Sequence, residues 1–252
     1  MSLDIPVSPK ITYRRNFLQS VICQVRVNPI FRVAKELPSE FQEAIRQDYP
    51  RAELRESIEI KVSEEGITPP EKLGKAWRFS SEDGDWTVTL DARFIAIDTK
   101  KYLNFEDFLT RFKGIHKPYC EIYSPSSAER VGLRYINAIS PSEQLRAPKD
   151  WNAWVNPDLL GFAGTGRLSF PVGECFEVVR APQGLGSITV RHGFNSDPTD
   201  KVAYLIDVDR YTDGKAEQSG IEGLLKEFND ECYNFFEWAV SKATKDWMRR
   251  DG

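Results

Sequence analysis

The chain has 252 residues, 38 acidic and 34 basic, for a net charge of −4; 40% are hydrophobic and 29% charged. A chain of this length hides about 70–75% of its unfolded surface on folding, so metals or disulfides are not needed to complete a core. The mixed signs, with basic residues clustered only in pairs such as Arg14-Arg15, Lys100-Lys101 and Arg249-Arg250, disfavour a nucleic-acid binder, which gathers a basic stripe against phosphates.

Met1 to Lys10 shows neither a basic n-region nor an apolar h-region, so no secretory signal is expected there. No window of the chain approaches the ~20 apolar residues of a membrane span. Cys23, Cys120, Cys175 and Cys232 are widely spaced and sit in apolar-patterned segments, as small buried hydrophobes do. These features lead to the expectation of a cytoplasmic protein without membrane contact.

Residues 20–27 alternate, with Val21, Cys23, Val25 and Val27 on one face, and predict a half-buried strand. A helix is expected next, capped by Ser39 with Gln42, striped by Leu37, Phe41, Ala44, Ile45 and Tyr49, and stopped by Pro50. Ile58, Ile60 and Val62 mark a second strand, followed by a loop from Gly66 to Gly74. Residues 76–97 read as a hairpin turning at Asp83-Gly84, with Trp86 to Ile97 as one long arm. Its one-sided patterning fits an antiparallel sheet with a wet face.

Asn104 is placed to cap a helix carrying Phe105, Phe108, Leu109 and Phe112, with a kink or early stop expected at Gly114 or Pro118. Arg130 to Ile139 is another strand, ended by Ser140-Pro141. Residues 141–166 are irregular, with Trp151 and Trp154 and three glycines, and read as a linker or functional loop. Strands are expected around 168–181, 185–194 and 202–210. A long amphipathic helix then runs from Gly220, with Leu224, Leu225, Phe228, Cys232, Phe235, Phe236, Ala239, Ala243 and Trp247 as its stripe.

This order predicts an α+β protein with helices packed on one face of one or two antiparallel sheets. Residues 1–252 are expected to form a single domain. Two blocks of three strands and a helix, roughly 54–123 and 167–248, suggest halves at 15–140 and 165–252 joined by 141–166.

The stretch Arg130-Val131-Gly132-Leu133-Arg134-Tyr135-Ile136-Asn137 resembles the R-x-G-L-R-Y-x-N strand of a sporadically distributed bacterial family of similar length. The strand ending at Asn28-Pro29, the Tyr102 to Phe112 segment and the C-terminal helix also resemble that family. The resemblance implies a prokaryotic protein but no activity, since none is assigned to the family. Its patchy distribution is that of accessory genes such as defence or toxin–antitoxin modules.

Chemistry-bearing patterns are sparse. His116 and His192 are the only histidines, and both read as structural rather than as general bases or metal ligands. No spacing matches a zinc site, and no metal or cofactor is expected. Gly161-Phe162-Ala163-Gly164-Thr165-Gly166 lacks the Lys and the helix start of a phosphate loop. Asp207 and Asp209 share a strand face, a geometry open to cation binding or acid–base work, though the wet side of a surface strand is the plainer reading.

The strand 130–137 is the leading site candidate. Arg130 and Arg134 flank Gly132 on one face, where Arg134, with Tyr135 and Asn137 nearby, has the donors to hold a carboxylate or phosphate. The plainer alternative is a cross-strand ion pair with Asp91 or Glu59. With no catalytic constellation, the first functional expectation is a non-enzymatic protein-interaction module, a regulatory or neutralising partner in an accessory bacterial system, using Trp151 and Trp154 as anchors. Second comes a binder of a small anionic ligand in a pocket between sheet and C-terminal helix, with Arg134 as anchor; third, an enzyme of unrecognised class.

Overall fold

The computed structural model describes residues 3–59, 62–63, 66–67, 71–140, 148–168, 174–196 and 202–249. The protein is α+β. Eleven strands and six helices are described: β1 (Leu18–Val27), α1 (Phe31–Lys35), α2 (Ser39–Ile45), β2 (Arg51–Glu59), β3 (Val62–Ser63), β4 (Gly66–Ile67), β5 (Glu71–Ser80), β6 (Trp86–Asp91), β7 (Phe94–Thr99), α3 (Phe105–Tyr123), β8 (Ala128–Ile139), α4 (Pro157–Leu160), β9 (Glu174–Gln183), β10 (Gly186–Ser196), β11 (Val202–Thr212), α5 (Ile221–Ala239) and α6 (Lys242–Arg249). Nine of the strands form one antiparallel sheet in the order β2-β5-β6-β7-β1-β8-β11-β10-β9. No described helix is long and apolar enough to cross a membrane.

The chain divides into two compact units that are discontinuous in sequence. One holds residues 22–131 and 214–222; the other holds 1–21, 132–213 and 223–252. The division runs through β1 and β8 rather than through 141–166.

In the 22–131 unit, α3 covers a sheet face built from Trp86, Val88 and Leu90 of β6 and Ile95 and Ile97 of β7, all buried with Phe108, Phe112 and Ile115 of the helix. Trp86 meets Phe108 with ring centroids 5.8 Å apart. The expected long arm from Trp86 is two strands. Asp91 Oδ1 accepts the Arg93 N–H at 2.9 Å, a side-chain turn that reverses the chain at Ala92-Arg93. The reversal moves the helix-facing phase to Ile95, Ile97 and Thr99.

Helix α3 begins as expected, with Asn104 Oδ1 accepting the Asp107 N–H at 2.8 Å, but runs unbroken through Gly114 and Pro118. A proline ring presses on the carbonyl four residues back. That residue is Gly114, whose backbone has the freedom to turn the carbonyl aside. The expected helix is present as α2, and a further short helix, α1, precedes it. Pro38, not Ser39, is the N-cap of α2, and it gives no side-chain bond. Phe41, Ile45 and Tyr49 are buried while Leu37 is exposed.

In the other unit, α5 packs on β8, β11, β10 and β9. The core joins Ile139, Ile188, Val190, Ile206 and Val208 of the strands to Cys232, Phe235 and Ala239 of the helix. The C-terminal helix is two helices, because residues 154–156 take its main-chain groups at the break. The Asn156 N–H donates to the Ala239 carbonyl at 2.8 Å and the Ser241 N–H to the Trp154 carbonyl at 3.0 Å. Expectations at 141–147, 60–61 and 68–70, including the stop at Pro141 and the strand position of Ile60, lie outside the described residues.

Residues 3–16 carry no helix or strand and lie along α5 as a strap. The Ser8 N–H donates to Asn234 Oδ1 at 3.0 Å and the Ile11 N–H to Tyr233 Oη at 2.9 Å. The Tyr13 hydroxyl donates to Glu237 Oε1 at 2.6 Å, and Lys10 pairs with Asp230 at 2.6 Å.

Candidate functional site

Strand alternation divides the expected site residues between two faces of the sheet. Tyr135 points to the helix side, its hydroxyl donating to Asn229 Oδ1 of α5 at 2.9 Å, and Asn137 follows two residues on, buried. Arg130 and Arg134 stand on the opposite face, open in that α5 does not cover it, although Ser187, Thr189, Asp207 and Tyr211 on it are buried. Residues i and i+3 of a strand cannot meet on one face, so Asn137 does not join Arg134 in a shared anion site. The space between α5 and the sheet, proposed from the sequence as a pocket, is filled by the apolar core described above.

The two tryptophans are not an exposed anchor. Trp151 is 1% exposed and sits edge-on to Phe194 with centroids 5.6 Å apart, while half-buried Trp154 packs against the same core. The segment was expected to be a loop because its glycines mask a chain of short helical turns, 148–153 and 157–165, which deliver Trp151 inward.

The open face in this unit is ordered by the strand registers. One level runs Ile136, Asp207, Arg191, Val178 across β8, β11, β10 and β9; the next runs Arg134, Asp209, Thr189, Arg180. Asp207, 3% exposed at its side chain, is gripped by Arg134 through Nη2 at 2.6 Å and Nε at 2.7 Å. Arg191 Nη1 approaches the same carboxylate at 3.3 Å. The bidentate bond to Asp207 holds the Arg134 guanidinium pKa above its ordinary value, against the opposing effect of burial. Arg134 therefore sits in a cross-strand ion pair, with Asp207 as partner rather than Asp91 or Glu59; the Glu59 side chain lies outside the described residues. Asp207 and Asp209 share this face as alternation requires. Two guanidiniums already occupy Asp207, so a cation there would have to displace them.

Beside this charged field the sheet ends in an apolar edge. Among the described residues β9 pairs only with β10. Phe176 is 46%, Val178 59% and Val179 40% exposed. Phe176 and Val178 stand on the open face with Arg180, whose guanidinium lies over the Tyr211 ring at 5.4 Å. Cys175, expected to be buried, is exposed on the same strand. Long edges of this kind are normally blunted by charge, bulges or proline. Here Glu174, Glu177 and Arg180 interrupt the apolar residues, and Pro182 comes only at the strand's end.

The histidines occupy separate settings. The Tyr204 hydroxyl donates to the Leu159 carbonyl at 2.8 Å, so its oxygen accepts from His192 Nδ1 at 2.8 Å. Burial lowers the His192 pKa, with exposed Glu177 opposing from 3.8 Å. His116 Nε2 donates to Gln218 Oε1 at 3.0 Å. Cys120 Sγ lies 3.5 Å from Nε2 and 4.0 Å from Nδ1, off the axis along which Nε2 exchanges a proton. Burial lowers the His116 pKa and raises that of Cys120. Both effects favour a neutral pair over the thiolate–imidazolium form that nucleophilic chemistry uses.

Arg210 is a residue the sequence reading missed. It is fully buried and pairs with Glu231 of α5. It also donates to the Tyr211 carbonyl at 2.8 Å and lies over the Phe228 ring at 4.5 Å. The available signal was Glu227 and Glu231 flanking the apolar stripe of α5 one turn apart. No group of three or more His, Cys, Asp or Glu among the described residues is placed to hold a metal ion. No family model matches the chain, and no curated protein is significantly similar to it.

Proposed function

We propose that this chain is a protein-interaction module that receives an extended segment of a protein partner on the β9 edge by strand addition. The observation that carries the reading is the combination, on one strand, of an edge with no strand partner among the described residues and exposed apolar side chains at Phe176, Val178 and Val179. Main-chain bonds along such an edge supply affinity, and alternate side-chain positions supply specificity. A regulatory or neutralising role in an accessory bacterial system is the finer form of the proposal, supported by the family resemblance of the 130–137 strand.

The test compares wild type with Val178→Pro, which removes one edge N–H, and with Arg134→Ala, each verified as folded. Affinity capture from the native cell is followed by measuring the purified captured protein against all three. The reading expects binding lost in Val178→Pro and kept in Arg134→Ala. A partner held equally by all three sinks it.

The second reading, a small anionic ligand on the open face, draws on the partly exposed guanidiniums of Arg134 and Arg191. It expects phosphate to raise the melting temperature of wild type and not of Arg191→Ala.

A further inference from the structure

The geometry points to a second copy of this chain as the occupant of the β9 edge, in one particular register. This inference rests on the strand-docking reading above and names its partner.

The hydrogen-bonding phase of β9 follows from its turn. Gly184-Leu185 is a two-residue connection, and Gln183 opposite Gly186 is the pair that closes it. In such a hairpin the closing pair exchanges both main-chain bonds. Alternation then assigns Gln183, Ala181, Val179, Glu177 and Cys175 to β10. The N–H and C=O groups of Phe176, Val178 and Arg180 turn outward, to the open edge. Pro182 also falls on the outward set, where its missing N–H costs the β9–β10 ladder nothing.

Two copies of β9 can pair antiparallel about a twofold axis perpendicular to the sheet, which keeps each face continuous. Centring the axis on Glu177 sets two carboxylates opposite each other, and centring it on Arg180 does the same with two guanidiniums; both are destabilising. Centring on Val179 puts Pro182, which has no donor, against Phe176 in both arms. Centring on Val178 avoids all of these. Val178 then faces its copy, and Phe176 of each chain lies across from Arg180 of the other, an aromatic ring against a guanidinium and its alkyl stem. On the other face Glu177 opposes Val179, and Cys175 opposes Ala181. Pro182 moves to the end of the ladder, where its carbonyl still accepts from Glu174. Among registers centred on residues 177–180 this one alone avoids those clashes, and it gives a longer ladder than centring on Phe176, which stops at Glu174 opposite Val178.

The test uses the full chain in a Cys175→Ser background with single cysteines at the edge. Mild oxidation of Val178→Cys should give a cross-linked dimer, because directly opposed strand residues lie within disulfide reach. Glu177→Cys and Val179→Cys should each stay monomeric alone and cross-link when mixed. Sedimentation of the chain carrying Cys175→Ser alone should show a reversible dimer, weakened about tenfold or more by Val178→Lys, which places two like charges on the axis. Cross-linking of Glu177→Cys alone overturns the register. A monomer at every soluble concentration, or a dimer indifferent to Val178→Lys, overturns the second copy as occupant. The docking reading itself is decided separately: if the chain stays monomeric, loss of a captured protein in Val178→Pro keeps strand addition at β9 and replaces only the second copy as occupant, whereas a captured protein or a dimer indifferent to Val178→Pro overturns the docking reading.

Discussion

At the scale of single residues, Asp207 governs the open face. Its carboxylate is almost fully buried at the side chain and accepts from two arginines, so removing either donor leaves charge undersolvated. Breaking a fully buried pair costs about 3–5 kcal/mol. Arg134 is 37% exposed and Arg191 remains, so Arg134→Ala should cost about 2 kcal/mol, read by urea denaturation. The same substitution in an Asp207→Asn background should cost clearly less, the mark of direct coupling. Trp151→Ala removes a large core side chain and should cost about 3–5 kcal/mol, enough to threaten folding. A surface anchor would show a binding defect with little change in stability. The Arg134 environment was half legible: alternation placed Arg130, Gly132 and Arg134 on one face and Tyr135 on the other. Asp207 was visible as a strand carboxylate, but its position opposite Ile136, one step from Arg134, depends on register, which no local pattern in β8 or β11 encodes.

At the scale of elements, periodicity was a good guide where one face is buried and a poor one where tertiary contacts intervene. β1, β8, β10 and β11 lie close to their alternating segments. The Trp86–Ile97 arm failed because Ala92, Phe94 and Ala96 carry an even-numbered apolar alternation across the two-residue reversal and imitate one strand, while the helix-facing side passes to Ile95 and Ile97, the visible sign on the supposedly wet side. The C-terminal stripe likewise continues across the break at Val240-Ser241, which is imposed by hydrogen bonds from residues 154–156, some 85 positions away in sequence. Where the element is set locally, the prediction is direct. Asn104→Ala removes the N-cap bond of α3 and should cost about 1 kcal/mol, measured by thermal unfolding, with the fold retained.

At the scale of the whole molecule, the α+β class and the antiparallel sheet were legible from element order, but the boundary of the two units was not. It follows which strands share a core, and β1 and β8 are each divided between units. A duplication of the chain is not established by the similar succession of strands and helix in both. Each unit contains one histidine, half-buried His116 or buried His192, and burial lowers the pKa of both. A depressed folded-state value means the unfolded chain binds more protons. Stability is therefore fully present above the unfolded value of about 6.5 and falls as pH drops through that value toward the folded one. The melting temperature should decline from pH 7.5 toward 5.5, and His192→Asn, which keeps a donor near Tyr204, should flatten the decline.

The strap along α5 couples two distant stretches of the chain in time as well as in space. Residues 3–16 are made well before Tyr233, Asn234 and Glu237, to which they bind. During synthesis the strap has no partner, and the core it borders stays open until the final helices emerge. Nascent chains arrested before residue 230 should expose residues 3–16 to protease, whereas the released protein should shield them. Completion of this unit thus waits on the synthesis of α5.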